Sequence, residues 1–393
     1  MQMSPESRRC LELAEQAVGL SDPNPRVGCV ILTRCGDRVE GYTHAAGGPH
    51  AEAHALAQAA HTGLDLRGAT AWVSLEPCSH HGKTPPCSQA LIEAGLARVE
   101  VACVDPNPLV SGRGIQAMRA AGMDVQVDQG DWARQARVLN IGFMSRMERG
   151  RPWVRLKVAA SLDGTTALVN GRSQWITSAE ARRDGHHWRR RAGAMLTGIG
   201  TVRDDDPRMD VRDVPCPIQP LRVVVDSLLM INPRARILQA PGRALVYTAV
   251  EDLDHATRQA LRQLPGVEVA VLPTLADHAD SRAGLNPDQR QAGKTDLAAL
   301  MKDLAVRGIN EVHVEAGEKL NGSLLRAGLV DELLVYLAPR LLGSGRSLAA
   351  MFDVPLEALD QGLPLTFIDC LPVGSDLRLR ALTPQGQAAY GPR

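Results

Sequence analysis

The chain has 393 residues, of which 44% are hydrophobic, and its 44 lysine and arginine residues balance 44 aspartate and glutamate residues. This length exceeds what one hydrophobic core usually organises, so two domains are expected. A formal charge of zero gives no reason to expect nucleic-acid binding, which usually leaves a basic excess. No apolar segment approaches the roughly 18 residues that a membrane helix needs, and the charged N-terminal stretch is not a signal peptide.

The first part of the chain alternates short β-branched segments with helical ones. A helix start is predicted at Ser4 and Pro5, since serine caps helices and proline suits their first turn. Alternation of strands and helices is typical of an α/β sheet. The predicted strands span residues 27–32, 71–74 and 99–104, and the predicted helices between them span 51–60 and 88–95.

A second α/β pattern follows a polar stretch at residues 146–152, where we place the domain boundary. The predicted domains are therefore 1–147 and 151–384. Residues 274–294 are rich in Asp, Gly and Pro, which predicts a surface loop. The predicted strands of the second domain span 154–159, 194–198, 222–226, 244–248, 267–272, 311–315, 332–338 and 376–381.

Three short motifs of the first domain carry metal-ligand chemistry: Pro-His-Ala-Glu, Glu-Pro-Cys and Pro-Pro-Cys. A catalytic zinc ion takes imidazole and thiolate ligands and keeps one position open for water. His50, Cys78 and Cys87 supply three such ligands. Glu52, two residues after the histidine, can move protons without being a ligand. The residues thus predict a zinc-dependent deaminase site.

The match to the general zinc-deaminase signature is partial. His-x-Glu and Pro-Cys are present, but the second cysteine follows after eight residues where the signature has two. The cysteines of the chain form no paired framework, which indicates a reducing cytoplasm. In that compartment the two cysteines, taken alone, could be unrelated thiols. His54, one helical turn after His50, is a rival ligand, but the His-Glu-x-x-His order is missing and we interpret His54 as a helix residue.

The N-terminal motifs resemble the deaminase half of the bifunctional riboflavin-biosynthesis deaminase-reductase family, in which the long insert between the cysteines is typical. This resemblance implies a cytidine-deaminase-like three-layer fold. It also implies removal of the amino group from a diaminopyrimidinone that carries a ribosylamino 5-phosphate, with Asn24, His80 and Lys83 as substrate contacts. One departure is Thr43, where relatives have histidine, with His44 next. The motifs that carry the resemblance are Asn-Pro-Arg-Val-Gly at 24–28, His-Ala-Glu at 50–52, residues 76–87 and Asp-Pro-Asn-Pro at 105–108.

The second domain has weaker chemical signals. Gly198 and Gly200 follow a strand but lack the third glycine of a dinucleotide fingerprint. Glu315-Ala316-Gly317 ends a strand and opens a helix near 320–328, which is either a phosphate-binding turn or an ordinary helix start. A basic cluster is either a solvated helix face or includes one or two phosphate-binding residues. Its members are Arg182, Arg183, Arg189, Arg190 and Arg191.

The second domain resembles the reductase half of the same family. The motifs that carry this resemblance lie at residues 157–164, 173–177, 204–207, 225–227 and 314–317. The resemblance implies a dihydrofolate-reductase-like fold and NADPH-dependent reduction of the ribosyl group to a ribityl chain. It places Lys157 where it would polarise or orient the sugar. Implied NADPH contacts are Ala159, Trp175, Thr201, Asp205, Ser227, Gly317, Glu318, Lys319, Leu320, Asn321, Gly322 and Ser323. Implied substrate contacts are Ser173, Arg189, Met209, Arg212 and Glu315.

The sequence therefore predicts a bifunctional riboflavin-biosynthesis enzyme with Zn²⁺ and NADPH as cofactors and phosphorylated pyrimidines as substrates. We expect a cytoplasmic homo-oligomer, a dimer or a tetramer, with no nucleic-acid or membrane partner. Three alternatives are a nucleoside or tRNA deaminase fused to a reductase of another substrate, a reductase with a purely structural zinc domain, and a non-enzymatic binding protein. A purely structural zinc domain would give Glu52 no role, so its presence disfavours the second alternative. The neutral charge disfavours a tRNA enzyme.

Overall fold

The computed structural model describes residues 3–79, 86–252, 254–274, 293–351 and 356–391. The chain divides into two compact units, Met1–Arg151 and Pro152–Arg393. Across the described residues, no helix combines the length and the apolar character needed to span a membrane.

The described part of the first unit contains a five-stranded sheet in the order β2-β1-β3-β4-β5. Strand β1 is antiparallel to both of its neighbours, whereas β3, β4 and β5 are parallel. The strands are β1 (Gly28–Leu32), β2 (Arg38–Tyr42), β3 (Thr70–Val73), β4 (Arg98–Val101) and β5 (Asp124–Val127). The helices are α1 (Pro5–Gln16), α2 (Ala51–Thr62), α3 (Cys87–Glu93), α4 (Arg113–Ala120), α5 (Asp131–Leu139) and α6 (Ile141–Arg149).

Helices cover both faces of this sheet. Successive side chains of a strand point to opposite sides, so one strand contributes to the apolar clusters on both faces. Cys29 and Ile31 of β1 join one apolar cluster with residues of α2, α3, α4 and α6. Val30, between them, joins a second cluster with residues of α1 and α5. Helix α1 starts as predicted, with the Ser4 hydroxyl accepting from the Ser7 amide at 3.1 Å. The unit is a three-layer α/β/α arrangement.

The described part of the second unit is built on a nine-stranded sheet in the order β11-β10-β9-β8-β12-β6-β13-β16-β15. The strands from β11 to β13 run parallel, and β16 and β15 complete the sheet in antiparallel pairing. These strands are β6 (Trp153–Ser161), β8 (Ala194–Gly198), β9 (Leu221–Val225), β10 (Ala244–Thr248), β11 (Val267–Val271), β12 (Glu311–Val314), β13 (Glu332–Ala338), β15 (Thr366–Val373) and β16 (Asp376–Leu382).

Helices and one small ribbon complete the second unit. Two short strands, β7 (Ala167–Leu168) and β14 (Gly345–Arg346), pair with each other. Separate apolar clusters lie against the large sheet, as expected for a mainly parallel sheet covered on both faces. The helices are α7 (Ala179–Arg191), α8 (Ile199–Asp205), α9 (Arg236–Gln239), α10 (Ala256–Arg262), α11 (Leu297–Val306), α12 (Glu318–Arg326) and α13 (Pro384–Tyr390).

Each predicted strand corresponds to an observed one, and the main differences lie at edges. The strand predicted over 99–104 ends at Val101, since the chain then leaves the ladder and the Cys103 carbonyl accepts from the Glu76 amide. Five strands of the described residues have no predicted counterpart. The two-residue strands β7 and β14 are too short for a pattern. Strands β2, β5 and β15 are short or polar, or contain proline, and lie at sheet edges where the apolar pattern is weak. Most of the predicted loop 274–294 lies outside the described residues.

Candidate functional site

The three predicted metal ligands lie close together in the first unit. His50 immediately precedes α2, Cys87 is the first residue of α3, and Cys78 lies in the loop after β3. The His50 Nδ1 atom is 3.6 Å from Cys78 Sγ and 3.5 Å from Cys87 Sγ. All three ligand atoms lie within 4.8 Å of one another, which is the spacing of donors around one metal ion.

Local hydrogen bonds hold the two cysteines in this position. The Cys87 amide donates to Cys78 Sγ at 3.4 Å, and the amide and hydroxyl of Ser88 both donate to the Cys78 carbonyl, at 3.1 and 3.0 Å. On the histidine side, α2 packs directly against β2: a Cβ at Gly41 would lie 2.1 Å from the Ala51 carbonyl oxygen. Glycine at position 41 therefore lets the helix that carries His50 approach the sheet.

The two thiols share their protons unequally. Donation from Cys87, together with the His50 ring, lowers the pKa of Cys78. The same contact, followed by burial, raises the pKa of Cys87 above its usual range. A divalent cation held by these ligands would override that difference, because coordination deprotonates a thiol.

Glu52 lies beside the cluster in the first turn of α2 and is 3% exposed. Burial, followed by the negative charge of Cys78, raises the pKa of Glu52 to about 7, and His50 opposes this shift. Among the described residues, the ligand-spaced group contains His50, Cys78 and Cys87 and does not include Glu52. The carboxyl group is thus placed to exchange protons at the site without occupying a ligand position.

The remaining residues predicted for this site have different outcomes. Asn24 is half-buried in the segment between α1 and β1, and its backbone amide donates to the Ser21 carbonyl. His80 and Lys83 lie outside the described residues. His54 is a helix residue, as predicted, whose Nδ1 atom is 3.1 Å from His44 Nε2.

The departure at Thr43 has a structural consequence. Thr43 is buried, and its hydroxyl accepts from the Val27 amide at 3.3 Å. The next residue, His44, stacks on Tyr42 with ring centroids 4.8 Å apart. Burial, then the neighbouring His54, lowers the pKa of His44. The histidine after Thr43 is therefore part of a three-ring cluster with Tyr42 and His54.

In the second unit, predicted substrate residues meet at the carboxyl end of β12. Arg189 of α7 contacts both carboxylate oxygens of Glu315, at 2.7 and 2.8 Å. Lys157 Nζ of β6 is 3.9 Å from the same carboxylate, and His313 Nε2 is 3.4 Å from it. Burial would raise the pKa of Glu315, but the Arg189 and Lys157 charges hold it well below its usual range. Burial lowers the pKa of Lys157, and Glu315 opposes that shift.

The predicted cofactor residues include two helix starts that lie side by side. Helix α8 follows β8 after Gly198, and α12 follows β12 after Gly317. These strands are neighbours, and the strands that follow them in the chain, β9 and β13, lie toward opposite edges of the sheet. A Cβ at Gly317 would lie 3.7 Å from Thr201 Oγ1, and one at Gly198 would lie 3.1 Å from the Leu320 side chain. Such a switch point with amide-rich helix starts is typical of nucleotide-binding crevices.

The other predicted cofactor residues lie on separate elements. Ala159 is in β6, and Asp205 ends α8, where its carboxylate accepts from the Ser173 hydroxyl at 3.3 Å. Trp175 is 61% exposed, and the Arg182 guanidinium lies 4.6 Å from its ring centroid. Ser227 instead contacts Thr295, whose amide donates to its hydroxyl at 3.0 Å. The residues of 317–323 form the start and first two turns of α12.

The two remaining predicted substrate residues flank a buried aspartate. Met209 is buried and has a positive φ of 56°. The Arg212 guanidinium donates to Asp210 at 3.0 Å. The solvated-face interpretation of the arginine cluster is wrong for Arg189 and Arg191, since both are mostly buried and pair with Glu315 and Glu311.

Comparisons with known proteins match both units. Residues 4–103 match the cytidine and deoxycytidylate deaminase zinc-binding region, and residues 152–377 match the RibD C-terminal domain. The riboflavin biosynthesis protein RibD of Escherichia coli (strain K12) is 43% identical over 385 residues, covering 94% of this chain and 96% of the relative. That of Aquifex aeolicus (strain VF5) is 36% identical and covers 93% and 94%.

Two solved structures are similar over 96% of the chain. Acinetobacter baumannii RibD, form 1, has a TM-score of 0.81 at 38% identity and covers 96% of this chain and 98% of that one. The diaminohydroxyphosphoribosylaminopyrimidine deaminase/5-amino-6-(5-phosphoribosylamino)uracil reductase of Thermotoga maritima has a TM-score of 0.81 at 30% identity, with coverage of 96% and 97%.

Fold and site together define a zinc-dependent deaminase joined to an NADPH-dependent reductase. The predicted fold class of both halves is confirmed. The chain belongs to the RibD family, and it is a bifunctional enzyme of riboflavin biosynthesis.

Proposed function

We propose that domain 1–147 deaminates a phosphorylated diaminopyrimidinone and that domain 151–384 then reduces the ribosyl group of the product to ribityl. The observation that carries the first assignment is the set of three ligand atoms within 4.8 Å of one another, beside the buried Glu52 carboxyl group. The Thermotoga maritima protein is named for this substrate pair, which supports the assignment.

His50, Cys78 and Cys87 are the proposed zinc ligands. Two thiolates and one imidazole suit Zn²⁺, and three protein ligands are typical of a catalytic rather than a structural zinc site. When bound, the ion supplies a water of lowered pKa and so a nucleophile near neutral pH. The hydrogen bonds from Ser88 and the Cys87 amide hold Cys78 beside Cys87.

Glu52 is the proposed proton carrier. Its carboxylate takes a proton from the attacking water as the C–O bond forms at the ring carbon that bears the amino group. It then gives the proton to the amino nitrogen as the C–N bond breaks and ammonia leaves. Burial raises the pKa of Glu52 to about 7, and the charge of a bound cation acts in the opposite direction. Asn24, His80 and Lys83 are the proposed contacts to the substrate.

The helix starts at Gly198 and Gly317 are the proposed seat of the NADPH phosphates, because backbone N–H groups and helix dipoles favour anions there. NADPH supplies the hydride that reaches C1 of the opened ribosylamino sugar. The other proposed cofactor contacts are Ala159, Trp175, Thr201, Asp205, Ser227, Glu318, Lys319, Leu320, Asn321, Gly322 and Ser323.

Lys157 is the proposed catalytic group of the reductase. Its ammonium group lies 3.9 Å from Glu315, which Arg189 fixes from the other side, so its position is defined before substrate binds. From there it can polarise or orient the sugar oxygen. Ser173, Arg189, Met209, Arg212 and Glu315 are the proposed substrate contacts.

The two activities can be separated by a single substitution. We expect Glu52→Ala to abolish ammonia release from the diaminopyrimidinone 5-phosphate, because no group then carries the proton. The same variant should still oxidise NADPH when it is given the deaminated intermediate. Glu93→Gln, an exposed position on α3, is the matched control and should keep both activities. Normal deamination by Glu52→Ala contradicts the proton-carrier role, and loss of both activities in a folded variant contradicts the two-site assignment.

We also propose that the chain works as a cytoplasmic homo-oligomer, a dimer or a tetramer. Phe367, Leu371 and Leu377 on the last two strands of the large sheet are 61%, 46% and 43% exposed, and exposed apolar patches often mark protein interfaces. Light scattering of the purified chain measures the number of subunits.

A further inference from the structure

Glu76 is a buried carboxylate that has no role in the mechanism proposed above. It lies two residues before Cys78 and is 3% exposed. A buried charge costs free energy unless it is paired or fully hydrogen-bonded. The groups that bond to Glu76 therefore indicate its structural role.

The partners of Glu76 are four backbone amides, two on each oxygen. Oε2 accepts from Asp105 at 3.2 Å and from Gly112 at 2.8 Å. Oε1 accepts from Gly114 at 2.9 Å and from Ile115 at 3.2 Å. Gly112 caps α4 and the next two donors belong to its first turn, so the carboxylate also meets the positive end of a helix dipole.

Helix α4 also touches the residue between Glu76 and the metal ligand. A Cβ at Gly114 would lie 2.1 Å from the Pro77 carbonyl oxygen, so α4 rests directly on this peptide. Proline fixes its own φ, which leaves little rotational freedom between the anchored carboxylate and Cys78. On the other side, Ser88 holds the Cys78 carbonyl. The backbone of this ligand is therefore fixed from both directions.

We propose that Glu76 is a positioning residue of the metal centre, which anchors the Cys78 loop to the start of α4 so that the thiolate is held in place before the ion binds. The proposal rests on the proposed zinc site. Partners outside the ligand shell typically change metal affinity by about 10–100-fold, because they remove the cost of ordering the ligands.

The test compares Glu76→Gln with a matched carboxylate. Gln keeps the shape but offers one accepting oxygen and turns an NH₂ group toward two amide donors. The control is Asp128→Asn: Asp128 accepts from the amides of Gly130 and Ala133 at the start of α5 and follows β5, two strands away from β3. Both changes weaken a helix start, but only Glu76 adjoins a metal ligand.

Zinc affinity of the full chain, stripped of metal, is measured by competition with a chromophoric chelator, and Co²⁺ absorption reports the geometry of the ligands. We expect Glu76→Gln to bind Zn²⁺ about 10–100-fold more weakly, with altered Co²⁺ bands. Asp128→Asn should lower the melting temperature yet bind both ions as the unmodified chain does. Should Glu76→Gln fail to fold, Glu76→Asp, which keeps the charge on a shorter side chain, is expected to bind Zn²⁺ more weakly than the unmodified chain.

Three outcomes would overturn the proposal, and they can be distinguished. If the unmodified chain fails to bind one Zn²⁺ per chain, the proposed zinc site itself is wrong, and this inference with it. If the unmodified chain binds Zn²⁺ and the folded Glu76 variant matches its affinity and Co²⁺ spectrum, only the positioning role is overturned. An equal loss of affinity in Asp128→Asn also overturns it, since general destabilisation then explains both.

Discussion

At the scale of single residues, burial and charge oppose each other at Lys157. Desolvation disfavours its ammonium form, whereas the Glu315 carboxylate favours it. Arg189 competes for the same carboxylate through two hydrogen bonds. Lys157 is thus the less firmly bound cation of the pair, which supports the role toward the sugar oxygen proposed above.

Replacing Lys157 by Gln should therefore lower the rate of reduction more than substrate binding. We expect kcat for NADPH oxidation, with the deaminated intermediate as substrate, to fall about 10²–10³-fold, the usual loss on removing one stabilising donor. Ammonia release should stay unchanged. Lys302→Gln, at an exposed position of α11, serves as control. Steady-state kinetics that show an unchanged kcat would contradict the catalytic assignment.

At the scale of elements, a buried ion network joins the central strands of the second unit. Arg155 of β6 donates to Glu311 of β12 at 3.0 Å and to Glu332 of β13 at 2.9 Å, and all three side chains are 1% exposed. Burial would raise the pKa of Glu332, but the Arg155 and Arg380 charges hold it at about 2. The network therefore links neighbouring strands through charges that water cannot screen.

This network predicts a pH-dependent loss of stability. Because the folded-state pKa of Glu332 lies below its ordinary value of 4.5, its contribution is complete above about pH 4.5 and disappears as the pH falls toward 2. At pH 7, Arg155→Met should lower the free energy of unfolding by about 3–5 kcal/mol, since buried carboxylates lose a partner. Arg98→Met, which breaks an exposed pair with Asp124, should cost at most about 1 kcal/mol. Denaturant titrations at several pH values measure both, and equal losses in the two variants would contradict the prediction.

At the scale of the whole molecule, the two chemistries belong to separate compact units. The ligand-spaced group His50, Cys78 and Cys87 lies in the first, and the Lys157–Glu315–Arg189 contacts lie in the second. Reduction needs no metal in the mechanism proposed above, because NADPH carries the hydride.

Removal of zinc should therefore separate the activities without mutation. We expect a chelator to abolish ammonia release and to leave NADPH oxidation with the deaminated intermediate unchanged. Added Zn²⁺ should restore deamination, whereas Mg²⁺, which prefers oxygen ligands, should not. Parallel assays of ammonia and NADPH on the treated chain measure this. Loss of both activities after chelation would show that the metal also supports the reductase.

Much of this protein could be predicted from its sequence because the signals are local. His50, Glu52, Cys78 and Cys87 are recognisable from residue type and spacing, and strands such as β8, β10 and β13 match the predicted ranges residue for residue. Buried parallel strands read as continuous apolar segments, so the apolar pattern identifies them. Edge strands such as β2 lack that pattern and were missed.

The tertiary structure alone decided which distant residues meet. Arg189 and Glu315 are 126 positions apart, and their contact depends on how α7 packs against the end of β12. Glu76 appeared only as part of a motif, since its four donors lie 29 to 39 residues further along the chain. Residue types and their spacing along the sequence thus determined which metal ligands are predicted and in what order. Sheet register and helix packing decided where those side chains converge, because contacts across a fold depend on three-dimensional geometry that local patterns do not encode.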